Sequence, residues 1–403
     1  MAEGTDMPDA VIVDVVRTAS GRGKPGGALS ATHPVDLLAM VLEALVERNS
    51  LDPALIDDVI GGCVTQSGEQ SINVTRSAVM AACFPDAVPA TTIDRQCGSS
   101  QQAAHFAAQG VMAGVYDVVV ACGVESMSRT RMYSSIQGRD PYGERLGTRF
   151  PDGPVSQGIS AELVAQRWGL DRDLLDAFAL RSHQRATEAT TSGQFDRELV
   201  PIDVRGPDGA LVRHGVDETI RPETTVDSLA SLKPAFADDP AAADFPEIGW
   251  RVTAGNSSPL TDGASAALIM SKATATALGL RPRARFDAFA VVGDDPVLML
   301  SGIMPATRMV LKRAGLTIDE IDAYEVNEAF ASVPLAWRQE FDADLERLNP
   351  RGGAIALGHP LGASGTRLMA TLLNTLESTG GRYGLQTMCE GGGMANATII
   401  EVL

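Results

Sequence analysis

The chain has 403 residues, a net charge of −18, and 44% hydrophobic but only 5% aromatic residues. This length predicts two or more domains, and the composition is typical of a globular protein with an aliphatic core. The negative charge repels nucleic acid and anionic membranes at long range, so we expect neither as a partner. The five cysteines are odd in number and irregularly spaced, which argues against a disulfide framework and favours a reducing compartment.

The N-terminal segment MAEGTDMPDA carries acidic residues and no apolar run, so it predicts neither a secretory signal nor a basic transit peptide. No stretch approaches the roughly eighteen apolar residues of a membrane span. The cysteine spacing contains no metal-binding pair. We therefore expect a cytoplasmic protein with no membrane span and no bound metal.

In chain order, short β-branched runs alternate with helical patterns, which indicates an α/β protein. Residues 11–16 predict a strand, and residues 34–49 predict a helix with Pro34 in its first turn. A strand at 91–93, a helix at 99–112 and a buried strand at 118–121 follow.

A similar order returns near the C-terminus. Residues 352–357 lead into the glycine-rich HPLGASG, and a helix at 364–377 and a strand at 385–388 follow. Two copies of one α/β unit would each present a loop and a helix start to a shared cleft. Residues 123–249 interrupt this pattern with a long helix near 172–192 and a connection rich in Pro, Ala and Asp, which is typical of segments that cover sites.

Two cysteines lie in contexts that predict reactive thiols. Cys97, in TTIDRQCGSSQQA, precedes a Gly-Ser turn and a helical stretch, and the free N–H groups of a helix start lower a thiol pKa. Cys389, in LQTMCEGGGMANATII, precedes three glycines that let substrate approach backbone N–H donors. We expect Cys97 to be the nucleophile and Cys389 the acid or base at a carbon centre. The other cysteines, Cys63, Cys83 and Cys122, are expected to be small buried hydrophobes.

His359 and Asn327 are the remaining candidates for catalysis. His359, in ALGHPLGASG, lies in a turn with little steric bulk, so its imidazole can point into a cleft and serve as the base for Cys97. Asn327, in YEVNEAFASV, is either a helix N-cap or an amide of the site, and Glu328 is expected to be a structural carboxylate at a helix start. Surface or packing roles are expected for the other histidines, His33, His105, His183 and His214.

These four segments together resemble the thiolase family, the acetyl-CoA acetyltransferases and 3-ketoacyl-CoA thiolases that join or split acyl chains on coenzyme A. VIVDVVRTASGR (11–22), VIGGCVTQ (59–66) and VTAGNSSPLTDGA (252–264) match as well, so the resemblance covers nearly the whole chain. It implies a thiolase fold, in which two duplicated α/β halves form a five-layered αβαβα arrangement. The N-terminal half would be 1–122, completed by 250–280, the inserted loop domain 123–249, and the C-terminal half 281–403.

The resemblance also implies the roles of individual residues. Asn327, through a water, and His359 would polarise the thioester oxygen of the bound acyl-CoA, and the backbone N–H groups of Cys97 and Gly391 would form a second oxyanion hole. Coenzyme A and acyl-CoA are then substrates, with no permanently bound cofactor, and the assembly is a homodimer or homotetramer. Contacts to coenzyme A fall on Arg221, Ser228, Ala254 and Ser258.

One departure from the family bears on the substrate. Members that form acetoacetyl-CoA typically carry His-Met-Gly before a helix beginning AENVA, whereas this chain has Ser156-Gln157-Gly158 before ISAELVA. The departure favours a degradative enzyme, in fatty acid or related lipid and sterol catabolism, with a larger acyl pocket. The same chemistry run backwards is a Claisen condensation, so acetoacetyl-CoA formation stays an alternative.

Other classes fit the residues less well. A cysteine hydrolase could use Cys97, His359 and Asn327, but it has no task for Cys389. A non-catalytic lipid-binding protein of thiolase fold need not keep all four reactive residues. A ketoacyl synthase would have histidine at position 389.

Overall fold

The computed structural model describes residues 9–151, 154–205 and 209–403. The strands within these ranges are β1 Ala10–Arg17, β2 Gly21–Arg22, β3 Asp58–Gly62, β4 Ala90–Ile93, β5 Val118–Ser126, β6 Ile202–Arg205, β7 Leu211–His214, β8 Thr261–Ser271, β9 Ala284–Gly293, β10 Ala323–Val326, β11 Tyr383–Glu390 and β12 Met394–Val402. The helices are α1 Pro34–Arg48, α2 Val74–Ala81, α3 Ser99–Met112, α4 Gly143–Arg149, α5 Gln157–Arg167, α6 Arg172–Thr191, α7 Val226–Ala230, α8 Lys272–Ala277, α9 Ile303–Ala314, α10 Ser332–Phe341, α11 Ala354–Leu357 and α12 Ser364–Thr379.

The strand order contains the expected duplication. One continuous sheet runs β10-β11-β12-β9-β1-β8-β5-β3-β4, with β2 attached to β8. In each half, a parallel pair is followed by two antiparallel neighbours: β3-β5-β8-β1 in the first half and β10-β11-β12-β9 in the second. Strands β1 and β9 join the halves through the register Val11↔Arg285 and Ile12↔Ala284.

The side chains of β1 alternate between two cores, which explains how the layers stack. Val11, Val13 and Val16 belong to an outer core with residues of α1 and α2. Ala10, Ile12 and Val15 belong to a central core with residues of α3 and α12. The same central core receives residues of β9 and β12 from the second half, whose other face packs against α9 and α10. The expected five-layered αβαβα arrangement is therefore confirmed.

The two central helices, α3 and α12, determine the position of the site. Each begins just after a loop at the carboxyl end of its sheet, with α3 leading into β5 and α12 leading into β11. Because α3 and α12 pack together in the middle layer, their preceding loops meet. The described residues between 127 and 250 lie outside the main sheet and contribute α4 to α7 and the strand pair β6 and β7. The insert was expected to begin at residue 123, which lies within β5, and this strand runs on to Ser126.

None of the helices among the described residues is long and apolar enough to cross a membrane.

Candidate active site

Cys97 lies on a tight turn between β4 and α3. Gln96, just before it, has a left-handed backbone with φ of 48° and donates its N–H to Asp94 Oδ1 at 2.7 Å. The Ser99 hydroxyl accepts from the N–H of Arg95 at 2.9 Å and donates to the carbonyl of Gln96 at 2.6 Å. These bonds fix the turn, so the buried thiol is held next to the start of α3.

Burial decides the charge state of Cys97. Burial, with Glu390 nearby, raises the pKa of the thiol to about 12. The Gln157 side chain and the backbone N–H of Cys97 act to lower this pKa, but by less. The expectation of a lowered pKa was therefore wrong, because desolvation outweighs the helix start. Cys97 is therefore a neutral thiol at rest.

His359 is held in one tautomer. Ser364 Oγ donates to the carbonyl of Pro360 at 2.9 Å, so its 2.6 Å contact with His359 Nδ1 must be donated by the ring. Nε2 is then the free acceptor, and it takes a 3.3 Å hydrogen bond from Asn327 Nδ2. Burial, with Arg367 nearby, lowers the pKa of His359 to about 3. The imidazole is therefore a neutral base facing the site.

Asn327 is not a helix N-cap, because α10 begins five residues later, at Ser332. Its amide lies against His359, and its buried Oδ1 has no hydrogen-bond partner in the structure, which leaves an acceptor for a water or substrate. Glu328 has the structural role expected of it, although it caps a different helix. Its carboxylate accepts from Ser182 Oγ at 2.7 Å and from the N–H of Ile355 at 3.1 Å, at the start of α11.

Cys389 lies near the end of β11 and is buried beside Cys97. Burial raises the pKa of this thiol well above its ordinary value, and the nearby Cys97 raises it further. Gly391 follows at the turn into β12, where a Cβ would lie 2.8 Å from Gln96 Oε1, so residue 391 lies directly against the turn of the nucleophile. A protonated thiol at this position suits a proton donor.

A small apolar cluster joins the segments that carry Cys97, His359 and Cys389. Cys97 packs with Met127, Leu361, Leu368 and Met388. Leu361 follows His359 by two residues, and Met388 directly precedes Cys389. The structure thus brings together Cys97, Asn327, His359, Cys389 and Gly391.

Sequence reasoning missed Glu125, which ties the two halves together at the site. Its buried carboxylate accepts from the N–H groups of Val64, Thr65 and Gly362 at 2.9 to 3.0 Å, and from Gln70 Nε2 at 2.9 Å. Gly362 lies three residues after His359, so Glu125 anchors the histidine loop to the first half. A carboxylate at the end of a buried strand was a signal for such an anchor.

A cavity of about 200 Å³ lies beside Cys97. The first half contributes Gln96, and the inserted segment contributes aromatic and apolar side chains together with Gln157. Pro296, Val297, Met299, Gly391 and Gly392 complete it from the second half. Its other lining residues are Tyr133, Tyr142, Leu146, Phe150, Pro154 and Val155, so none of the residues that line it is an acid, lysine or arginine.

The candidates for contact with coenzyme A lie in two neighbouring segments. Arg221, before α7, and Ser228, within α7, are both exposed. The N–H of Ala235 donates to the carbonyl of Val252 at 2.9 Å. This bond brings the segment that contains Ala254 and Ser258 alongside. Ser228 Oγ already takes part in a capping box with Thr225. Arg221 keeps an exposed side chain, while its N–H donates to His183 Nδ1 at 3.2 Å.

The remaining histidines have structural roles. His33 caps α1, His105 Nε2 contacts Thr398 Oγ1 at 2.6 Å, and His214 Nε2 contacts the carbonyl of Ala19 at 3.1 Å. Cys63 and Cys122 are buried as expected, but Cys83 is exposed because it follows the end of α2 in a left-handed conformation. Over the described ranges, no group of three His, Cys, Asp or Glu side chains could hold a metal ion.

The arrangement combines two neutral thiols, a neutral imidazole base and an amide oxygen without a partner. It lies next to a cavity that Gln96 and Gly391 line. It can form a thioester at Cys97 while Cys389 exchanges a proton with a neighbouring carbon. A hydrolase that used only Cys97, His359 and Asn327 would leave the second thiol without a task.

Comparison with known proteins agrees with this chemistry. The family model "Thiolase, N-terminal domain" matches residues 10–273, and "Thiolase, C-terminal domain" matches residues 280–402. A steroid 3-ketoacyl-CoA thiolase of Mycobacterium tuberculosis is 46% identical, over 99% of this chain and 96% of its own length. A 3-ketoacyl-CoA thiolase of Serratia proteamaculans is also 46% identical, over 98% of this chain and all of its own length.

Among solved structures, the acetyl-CoA acetyltransferase of Bacillus anthracis superposes with a TM-score of 0.88 at 37% identity, over 99% of this chain and all of that one. Because both family models and full-length relatives match, the chain belongs to the thiolase family of acyltransferases.

Proposed function

We propose that this protein is a degradative 3-ketoacyl-CoA thiolase, which cleaves 3-ketoacyl-CoA with coenzyme A into acetyl-CoA and an acyl-CoA two carbons shorter. The observation that carries the proposal is the meeting of Cys97 and Cys389 beside the Asn327–His359 pair. The names of the Mycobacterium and Serratia relatives support the degradative direction and a role in lipid catabolism.

In the first step, Cys97 Sγ attacks the 3-keto carbon while its proton passes to His359 Nε2. The bond between the α and β carbons breaks, and its electron pair forms the enolate of acetyl-CoA. Protonated His359 and a water on Asn327 stabilise the enolate oxygen, while the N–H groups of Cys97 and Gly391 stabilise the oxyanion at the attacked carbon. Cys389 gives its proton to the enolate carbon, which leaves acetyl-CoA, acyl-Cys97 and the Cys389 thiolate.

In the second step, the thiol of free coenzyme A gives its proton to the Cys389 thiolate and attacks the acyl-Cys97 thioester. The C–S bond to Cys97 breaks, and His359 returns its proton to the departing sulfur. The shortened acyl-CoA leaves, and every side chain has regained its starting protonation state.

Arg221 is proposed to pair with a phosphate of coenzyme A, and Ser258 to hold the pantetheine amide. Ser228 and Ala254 are proposed to line the same path. The inserted domain at 123–249 would cover the channel between the halves 1–122 with 250–280 and 281–403. A local cation such as Arg221 is needed because both the protein and the ligand are anionic.

We also propose a cytoplasmic homodimer or homotetramer. In the segment 123–150, Met132 is exposed and Ile136 is half-buried, which leaves apolar surface for a second copy. Met127, in the same segment, packs beside Cys97 and is not part of this surface. Light scattering that shows a stable monomer at micromolar concentration would contradict this assembly.

Covalent labelling tests the function most directly. Brief exposure to acetoacetyl-CoA or acetyl-CoA should acetylate one residue, Cys97, as read by intact-protein mass spectrometry and peptide mapping. Cys97→Ala should show neither the label nor thiolysis. A label on Cys389, or no label at all, contradicts the proposed division of roles.

A further inference from the structure

A second cavity, of about 240 Å³, lies where the three parts of the chain meet. Its lining residues are Val13, Asp14, Arg48, Asn49, Arg197, Arg281, Arg283 and Glu377. Helix α12 begins at Ser364, which contacts His359, and reaches this cavity near its other end, at Glu377. The cavity is therefore about 20 Å further along the helix and is separate from the site of Cys97.

An ion-pair network around the buried Arg283 forms one wall of this cavity. The guanidinium of Arg283 donates to Asp14 Oδ1 at 3.0 Å and to both carboxylate oxygens of Glu377, at 2.8 and 3.0 Å. Asp14 also accepts from Asn49 Nδ2 at 3.2 Å. Both carboxylates are thus paired within the protein, and the wall has a fixed geometry.

Three more arginines line the exposed side of the cavity. Arg48 pairs with Asp14 at 3.2 Å and donates to the carbonyl of Arg197 at 3.0 Å, and Arg197 pairs with Glu377 at 2.7 Å. Arg281 is exposed. Each guanidinium has five N–H donors, and within the described ranges these bonds use one nitrogen of Arg197 and two of Arg48. Donors therefore remain for a ligand.

The charge of the lining points to an anion. Four arginines face two carboxylates, so the cavity is locally positive in a chain whose net charge is −18. Each carboxylate is shared by two of the arginines, which leaves positive charge that the protein does not neutralise. Phosphate oxygens match the planar fork of a guanidinium, and a phosphate dianion balances two surplus positive charges.

We propose that this cavity is an anion site that binds a phosphate group, either free phosphate or the phosphate of a nucleotide. Arg48 belongs to the first half, Arg197 to the inserted segment and Arg281 to the second half. A phosphate that contacts all three links these parts of the chain. It therefore stabilises the folded protein, because a ligand that binds only the folded state shifts the unfolding equilibrium.

Isothermal titration calorimetry of the full chain with sodium phosphate, at constant ionic strength, measures this binding. We expect one saturable site in the wild type. Arg281→Gln should weaken the binding by about tenfold, because it removes a charged donor. Arg281→Lys keeps the charge but not the fork, so it should weaken binding less. Arg145→Gln, at an exposed position of α4, is the matched control and should bind as the wild type does.

The proposed coenzyme A site is a competing place for phosphate, and Arg221→Gln separates the two sites. This variant should bind phosphate at the second cavity as the wild type does. Binding that Arg221→Gln abolishes and Arg281→Gln leaves unchanged overturns the proposal, as does the absence of saturable binding. In the Arg221→Gln background, AMP that binds more tightly than phosphate identifies a nucleotide as the source, whereas equal or weaker binding identifies free phosphate.

The melting temperature gives a second measurement. Phosphate should raise it more in the wild type and in Arg145→Gln than in Arg281→Gln. Phosphate salts also stabilise proteins in general, because they are excluded from the protein surface. An equal rise in all three proteins would therefore reflect the salt alone and overturn the proposal. None of these measurements needs turnover, so a protein that binds phosphate as expected but does not cleave 3-ketoacyl-CoA rejects only the proposed function.

Discussion

At the scale of single residues, the charge states of Cys97 and His359 determine how the nucleophile forms. Burial leaves the thiol protonated and the imidazole neutral, with pKa values of about 12 and about 3. A preformed thiolate–imidazolium pair is therefore not the resting state. Proton transfer must accompany attack, when the bound substrate and the oxyanion donors stabilise the separated charges.

Substitution of Cys97 and substitution of Cys389 should have different effects on activity. Cys389→Ala should lower the rate of carbon–carbon bond cleavage by about two orders of magnitude or more, which is typical for removal of a general acid. It should still exchange acetyl groups between coenzyme A molecules through Cys97, whereas Cys97→Ala should lose both activities. Thiolysis of acetoacetyl-CoA and exchange with labelled coenzyme A measure the two. Equal loss of both activities in Cys389→Ala would show that the division of labour is wrong.

Glu390 is a buried carboxyl whose titration opposes folding. Neither oxygen has a hydrogen-bond partner in the structure, and burial, with Asp94 nearby, raises its pKa from 4.5 to about 9. Between these values the unfolded chain loses the proton while the folded chain keeps it. Glu390 therefore lowers the free energy of unfolding as the pH rises, by about 1.4 kcal/mol per pH unit at most.

Glu390→Gln removes this titration. Its melting temperature should match that of the wild type near pH 4.5 and exceed it increasingly up to pH 8. Glu43→Gln, at an exposed position of α1, is the control and should show no such trend. A difference that stays constant over this pH range would mean that Glu390 is not held protonated in the folded protein.

The sequence indicated the candidate side chains of the site but not the residues that support them. Cys97, Cys389, His359 and Asn327 lie in short glycine-rich contexts, and such contexts are local signals. Glu125 acts through partners that only the folded chain brings near, such as Gly362. The sequence also did not predict the direction of the Cys97 pKa shift, because desolvation depends on the whole surrounding core.

At the scale of elements, glycines allow the histidine loop to contact the first half. A Cβ on Gly123 of β5 would lie 2.1 Å from the carbonyl oxygen of Gly362, and one on Gly362 would lie 2.6 Å from the carbonyl oxygen of Gly62. All of these contacts are with backbone, which cannot move aside as a flexible side chain can. The close approach lets Gly362 reach Glu125 and thereby sets the position of His359.

Gly123→Ala should therefore displace the loop of His359. We expect a loss of about 1 to 3 kcal/mol in the free energy of unfolding. Because small misplacements of catalytic groups are costly, thiolysis should fall by about tenfold or more. Denaturant unfolding and steady-state kinetics measure the two effects. Gly293→Ala, where a Cβ meets open space, is the matched control, and equal effects in both variants would contradict the argument.

Local sequence patterns predicted the elements whose ends are marked by clear turn or capping residues. The helix predicted at 99–112 is α3, and the helix predicted near 172–192 ends one residue earlier as α6. Strand β8, Thr261–Ser271, was not predicted as a strand, because its first part, TDGASAA, is rich in Asp, Gly and Ala, which are depleted in strands. The short helix α11 was also missed, since Glu328 caps it from a distant segment.

At the scale of the whole molecule, the duplicated halves create a cleft to which each contributes different chemistry. The first half supplies Cys97, and the second supplies His359, Asn327 and Cys389. The inserted segment closes one side with Tyr133, Phe150 and Gln157. The cavity thus depends on all three parts of the chain, and its size could not be predicted from any single motif.

This cavity should set the substrate preference. Its volume of about 200 Å³ and its mainly apolar and aromatic lining leave room beyond the methyl group of acetoacetyl-CoA. Each additional buried methylene contributes about 0.8 kcal/mol, so three or four would favour the larger substrate by about a hundredfold if the binding energy is expressed in the transition state. We expect a higher kcat/KM for thiolysis of medium-length, branched or ring-bearing 3-ketoacyl-CoA than for acetoacetyl-CoA.

A coupled thiolysis assay over a panel of chain lengths and ring-bearing acyl groups measures this preference. Val297→Phe, which fills part of the cavity from the second half, should lower kcat/KM for the longest substrates most and shift the optimum to shorter chains. If acetoacetyl-CoA outperforms every longer substrate in the wild type, the cavity does not hold the acyl chain, and the protein belongs with the acetoacetyl-CoA enzymes. A preference for longer chains that Val297→Phe leaves unchanged would place the acyl chain elsewhere in the cleft, since a phenyl ring in this cavity must compete with any chain bound there.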